Sequence, residues 1–149
     1  MIVVLPDLEA TERLGRALAR VLRAGDQVAL RGDLGCGKTT LAGAILKGLG
    51  AAGPAKSPTY TLIEEYELGP LRVVHADLYR LRVPTELEGL GWWDYTDSRT
   101  LMLVEWPERA EGLWRPDVDV SLALADDGRR AHLRGISPRG DEVVDSLRP

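Results

Sequence analysis

Gly32-Asp33-Leu34-Gly35-Cys36-Gly37-Lys38-Thr39 fits the pattern G-x-x-x-x-G-K-T, and its fixed positions all have a chemical use. The glycines let the backbone curl until its N–H groups converge where phosphate oxygens can accept from them. A helix starting at the same place adds partial positive charge at its N-terminus. Lys38 is a compact flexible charge that reaches the β- and γ-phosphates of a nucleotide, and the Thr39 hydroxyl can ligate Mg²⁺. Of 19 basic residues only Lys38, Lys47 and Lys56 are lysines, so Lys38 stands against the arginine bias of the chain. Asp33, Leu34, Gly35, Cys36, Gly37, Lys38, Thr39 and Thr40 are therefore the candidate phosphate-binding residues. The thiol of Cys36, inside this loop, is expected to be reactive and to be covered when a nucleotide binds.

A phosphate loop needs a second acidic group for its magnesium, usually at the end of a buried apolar strand. Glu105 follows Thr-Leu-Met-Leu-Val and occupies such a place. It can hold the metal directly, hold it through water, or polarise the attacking water; a surface glutamate at a strand exit is the plain alternative. Asp77 ends another strand. Alternation puts His75, Asp77 and Tyr79 on one face, too many polar groups for a core pleat, which suggests the edge of a site or a satisfied structural network. Ser57-Pro58-Thr59-Tyr60-Thr61 lies after the first helix past the loop, where a phosphate-sensing switch is often found. An ordinary turn leading into a strand is the alternative there.

The elements that must carry these groups can be read in order. Residues 1–5 are a short apolar strand. Asp7 can cap a helix running to about Arg23, with Leu14, Leu18, Val21 and Leu22 on one face. Residues 26–31 form the strand that feeds the loop, and residues 41–49 an amphipathic helix. Residues 59–67 and 71–76 read as an antiparallel hairpin across Gly69-Pro70. Pro84 can open a short helix to Leu90. Residues 100–104 are the nearly continuous apolar run of a buried parallel strand. Residues 118–125 and 131–136 make a hairpin across Asp126-Asp127-Gly128, and the polar tail after Ser137 is expected to be helical. With no repeat and no linker, the expectation is a single domain over residues 1–149, of α/β class, with a mixed sheet flanked by helices.

Composition narrows the function classes. Hydrophobic residues make up 44% and charged residues 28%, as in ordinary globular chains. No apolar run approaches the roughly 20 residues that span a bilayer, and residues 1–7 do not read as a signal peptide. A single cysteine fits a reducing cytosol, so a cytoplasmic protein is expected. A net charge of −4 argues against coating nucleic acid unaided, though not against RNA contact inside a complex.

Four blocks, in order and spacing, resemble the TsaE (YjeE) family of bacterial P-loop ATPases. They are the phosphate loop from Gly32 to Thr40; Ser57-Pro58-Thr59-Tyr60-Thr61-Leu62; His75-Ala76-Asp77-Leu78-Tyr79-Arg80-Leu81; and Glu105-Trp106-Pro107-Glu108. The resemblance covers nearly the whole chain and implies a P-loop NTPase-like fold. It implies ATP and Mg²⁺ as cofactors and hydrolysis in support of the threonylcarbamoyladenosine modification of tRNA. The implied partners are TsaB and TsaD, with tRNA reached only through their complex and no membrane involved. It further implies that Thr39 and Glu105 hold Mg²⁺, that Thr11 lies by the adenine, and that Trp106 lies near the nucleotide. Lys38, Asp77 and Glu105 would be the catalytic groups. A late arginine would contact the nucleotide; Arg129 fits best, with Arg130 close behind. Cys36 stands where a small alanine or serine is expected, and Tyr60 where phenylalanine is common. Three other readings compete. A GTPase switch lacks any N-K-x-D sequence here, a small-molecule kinase has only Arg129 and Arg130 for a lid, and a nucleotide-dependent adaptor would hydrolyse only to reset binding.

Overall fold

The computed structural model describes residues 1–53 and 62–149. Among them, seven strands form one mixed sheet: β1 (Ile2–Leu5), β2 (Gln27–Arg31), β3 (Ile63–Leu68), β4 (Leu71–Asp77), β5 (Thr100–Glu105), β6 (Val118–Ala125) and β7 (Gly128–Gly135). Their order is β1-β7-β6-β2-β5-β4-β3. The centre is parallel, with β2 between β5 and β6, and β4 beside β5. Both flanks are antiparallel, β3 on β4 and β1 on β7. The helices are α1 (Leu8–Val21), α2 (Lys38–Gly48), the short α3 (Glu86–Gly89) and α4 (Pro138–Ser146). None of the helices is long and apolar enough to cross a membrane.

Alternation along β5 shows how the sheet is covered on both sides. All six of its residues are buried. Leu101 and Leu103 join Leu14, Leu18, Leu41 and Ile45 of α1 and α2 in one core. Met102 and Val104 join Leu78, Leu81, Leu87 and Trp92 in a second core on the opposite face. A run apolar on both faces is what a doubly covered parallel strand requires.

The elements match the expected ones, and their ends differ for identifiable reasons. Asp7 caps α1 as expected, its Oδ1 accepting from the Ala10 N–H at 2.8 Å. The helix stops at Val21 rather than near Arg23. There the Val21 carbonyl accepts from the Arg139 guanidinium at 2.7 Å, and Asp26 takes the Arg23 N–H at 2.9 Å. Tertiary partners thus replace the last turn. Helix α2 starts at Lys38, ahead of the expected Leu41, because Gly37, at φ 106°, turns the loop straight into the helix. Strand β7 starts at Gly128, so the turn is only Asp126-Asp127, and Arg129 and Arg130 lie within the strand. Of the expected strand over residues 59–67, residues 59–61 lie outside the described residues, and β3 runs from Ile63. The expected helix over residues 84–90 shrinks to Glu86–Gly89.

Candidate functional site

Three neighbouring parallel strands deliver the chemistry to one line at their C-terminal ends, the usual place for ligands in such sheets. Leu30, just before the phosphate loop, is in register with Glu105, and Glu105 is in register with Asp77. The loop itself is tightly fitted. A Cβ at Gly32 would stand 2.4 Å from the Leu122 carbonyl oxygen and 2.5 Å from Cys36 Sγ, so only glycine serves there.

At the start of α2 the Thr39 hydroxyl donates to Glu105, 2.9 Å from Oε1 and 3.2 Å from Oε2. Glu105 is 2% exposed, and its Oε2 lies 2.6 Å from His75 Nε2. Two hard oxygen donors on adjacent elements, one carrying a buried charge, fit a Mg²⁺ ion that draws its other ligands from phosphate and water. Lys38 Nζ donates to the Gly32 carbonyl at 2.5 Å and the Asp33 carbonyl at 3.0 Å. It also stands 4.4 Å above the centre of the Trp106 ring, a cation–π contact. Trp106 takes φ 56°, which turns the chain sharply after Glu105 and lays the indole beside the loop. Tyr79 also leans on the indole, tilted by 49°, ring centres 4.8 Å apart.

Asp77 sits at the edge of the same cleft, a space of about 440 Å³ also lined by Gly35, Lys38, Thr39, Glu105, Trp106 and Arg129. Burial pushes its carboxyl above the usual carboxylate range. The Tyr79 N–H, which it accepts at 3.0 Å, opposes that shift, and the Glu105 charge adds to it. Arg129 reaches from β7 over the loop, donating to the Gly35 carbonyl at 3.3 Å, while its buried Nε has no hydrogen-bond partner among the described residues. Arg130 faces away and pairs loosely with Asp127 at 3.7 Å. A larger hollow of about 570 Å³ lies between α1 and α2, lined by Glu12, Arg16 and Lys47. The converging buried polar groups lie in the smaller cleft.

The structure therefore brings Leu34, Gly35, Gly37, Lys38, Thr39, Thr40, Asp77, Glu105, Trp106 and Arg129 to one cleft. Asp33 contributes its carbonyl to Lys38. Thr11 is buried on α1 at 5% exposure and is not among the residues lining the cleft. Ser57-Pro58-Thr59-Tyr60-Thr61 lies outside the described residues. Cys36 departs from expectation. It is 2% exposed and part of the core on the α2 face, so its thiol is packed away before any nucleotide arrives. Sequence reasoning missed the bond from His75 to Glu105 and the tilted contact of Tyr79 with Trp106. The alternation that grouped both with Asp77 was the available signal.

A phosphate loop joining β2 to α2, with a carboxylate at the end of the adjacent parallel strand, defines a protein of the P-loop NTPase-like class. The fold is similar to a crystal structure described as Bacillus subtilis YdiB, with a TM-score of 0.77 and 29% identity, over 99% of this chain and 91% of that one. The family described as "Threonylcarbamoyl adenosine biosynthesis protein TsaE" matches residues 5–132, and the chain belongs to this TsaE family. Relatives named tRNA threonylcarbamoyladenosine biosynthesis protein TsaE include one from Haemophilus influenzae, 38% identical over 96% of this chain and 94% of its own length. Another, from Synechocystis, is 44% identical over 70% of this chain and 69% of its own.

Proposed function

We propose that the protein is a single-domain Mg²⁺-dependent ATPase that serves the threonylcarbamoyladenosine modification of tRNA. It acts in the cytoplasm with TsaB and TsaD and meets tRNA only through that complex. The observation that carries the ATPase reading is the contact between Thr39 and Glu105 at the mouth of the phosphate loop. The names of the relatives support the tRNA reading.

In this reading the loop N–H groups and the N-terminus of α2 bind the phosphates. Thr39 and Glu105 would hold Mg²⁺, and the ion would supply neutralisation of phosphate charge. Lys38, already confined beside the loop by two carbonyls and Trp106, places its ammonium on the γ-phosphate oxygens. Arg129 lies over the loop from the far strand and adds positive charge on that side. Asp77 accepts a hydrogen bond from the attacking water; its raised pKa makes it a better proton acceptor than an ordinary aspartate.

The test is ATP turnover by the purified protein, with and without Mg²⁺ and with and without TsaB and TsaD, beside Lys38→Ala. Turnover should need Mg²⁺, rise with the partners, and fall by about 100-fold or more in the variant. Equal turnover in Lys38→Ala would remove the phosphate-loop assignment. Turnover indifferent to both partners would remove the tRNA-machinery reading and leave the ATPase.

A further inference from the structure

We infer that His75 is a positioning residue that aims the Glu105 carboxylate at the magnesium position; this rests on the ATPase reading above. Among the described residues two side chains hydrogen-bond the Glu105 carboxylate, Thr39 and His75. Oε1 accepts from the Thr39 hydroxyl at 2.9 Å, and Oε2 lies 2.6 Å from His75 Nε2. The imidazole thus holds Oε2, which is 3.2 Å from the Thr39 hydroxyl, and fixes the carboxylate so that Oε1 lies closest to that hydroxyl.

The surroundings of His75 fix its role. It is 0% exposed, and among the described residues its buried Nδ1 has no hydrogen-bond partner. The tautomer with its proton on Nε2 donates to Glu105 and leaves Nδ1 as a bare acceptor. The other tautomer would set two acceptors 2.6 Å apart and bury an unmet N–H. A buried histidine with one ring nitrogen left unpaired gains nothing as core filling that an aliphatic residue would not supply better. Its value lies in the bond it makes. A donor behind a metal-holding carboxylate is the usual way such a group is oriented.

The placement explains the spacing of His75 and Asp77 as well. Both face α2 from β4, two residues apart, one behind Glu105 and one at the cleft edge. One strand therefore supports the metal position and the water position together.

The experiment measures binding of a non-hydrolysable ATP analogue by calorimetry across a Mg²⁺ titration, beside thermal unfolding of each variant. His75→Gln places an amide N–H near the former Nε2; His75→Asn places one near Nδ1, out of reach of Glu105; His75→Leu fills the space without a donor. Leu and Asn should raise the half-saturating Mg²⁺ by about 10–100-fold and leave metal-free nucleotide affinity unchanged. Gln should stay within a few-fold of wild type. Where Leu does not fold, the contrast of Gln with Asn decides. A wild-type Mg²⁺ dependence kept in the Leu and Asn variants, or a Gln variant no better than Asn, overturns the inference alone. A wild-type protein with no Mg²⁺ dependence overturns the ATPase reading, and the inference with it.

Discussion

The two ends of β2 both gather buried charge, and they treat it in opposite ways. At its N-terminal end Asp26, 3% exposed, is bonded throughout. Oδ1 accepts from Arg139 Nε at 2.9 Å, and Oδ2 accepts from Arg139 at 3.0 Å and from the Arg23 N–H at 2.9 Å. Nearby, Asp117 accepts from the Gln27 N–H at 2.9 Å and from Ser137 at 2.6 Å. At the C-terminal end, among the described residues, His75 Nδ1 and Arg129 Nε are buried without partners, while Lys38 spends its donors on loop carbonyls. A complete network holds a fold; an incomplete one keeps polar capacity for something else. The lesson is that burial of charge alone does not mark a site. What marks it is unpaired nitrogen on His75 and Arg129 beside a charged loop; the third unpaired buried nitrogen among the described residues, Trp92 Nε1, lies in the second core, away from the cleft.

Variants at the two ends should therefore fail in different currencies. The largest effect belongs to Asp26→Ala, which takes the buried carboxylate from the Arg139 guanidinium and from the Arg23 N–H, leaving Arg139 the Val21 carbonyl and Glu142. Stability to urea should drop by about 3–5 kcal/mol, while the folded fraction binds nucleotide as wild type does. Weakened nucleotide affinity with unchanged stability would reverse the comparison. Next comes Glu105→Gln, where turnover should fall by about 10²–10³-fold and Mg²⁺-dependent affinity should go with it, at little cost in urea midpoint.

Asp77→Asn sharpens the contrast inside the cleft. Nucleotide affinity should persist while turnover falls by about 100-fold, since this group acts mainly in the transition state. Its pH signature has a definite sign. Burial, first among its causes, raises the Asp77 pKa, so on acidification the carboxylate is lost earlier than an ordinary aspartate. Turnover should fall as pH drops through that raised value, and the acid limb should vanish in Asp77→Asn. An acid limb at or below the ordinary aspartate value would exclude Asp77 as the group concerned. The smallest effect is expected from Arg130→Ala. This residue shares a strand with Arg129 but points to Asp127, so nucleotide affinity should change by less than about twofold.

What could be read from the residues alone followed the kind of constraint involved. The loop from Gly32 to Thr40 was legible because phosphate binding fixes residue types in one contiguous stretch. Glu105 and Asp77 were legible as carboxylates ending apolar strands, and the register of β4 on β5 then set them side by side. The bond from His75 to Glu105 depends on that register and on side-chain reach, neither of which alternation supplies. The choice between Arg129 and Arg130 hung on where β7 begins, and the two-residue turn at Asp126-Asp127 settles which one lies over the loop. Cys36 is buried in a core that includes Leu122 of β6, far away in the chain, and no local pattern reveals that packing. The end of α1 was misread because Arg139, far along the sequence, takes the Val21 carbonyl.

The order β1-β7-β6-β2-β5-β4-β3 has a consequence for how the molecule comes into being. The strand carrying the phosphate loop is made early, yet its two neighbours, β5 and β6, emerge late, and β1 must wait for β7. A growing chain on the ribosome therefore exposes the loop long before its walls exist, and Arg129 arrives with the last strand. Closing such distant pairs is slow, so a nucleotide cannot template the early stages of folding. A released chain ending at Ala125 should show no nucleotide protection of its loop against protease, and one ending past Gly135 should gain it.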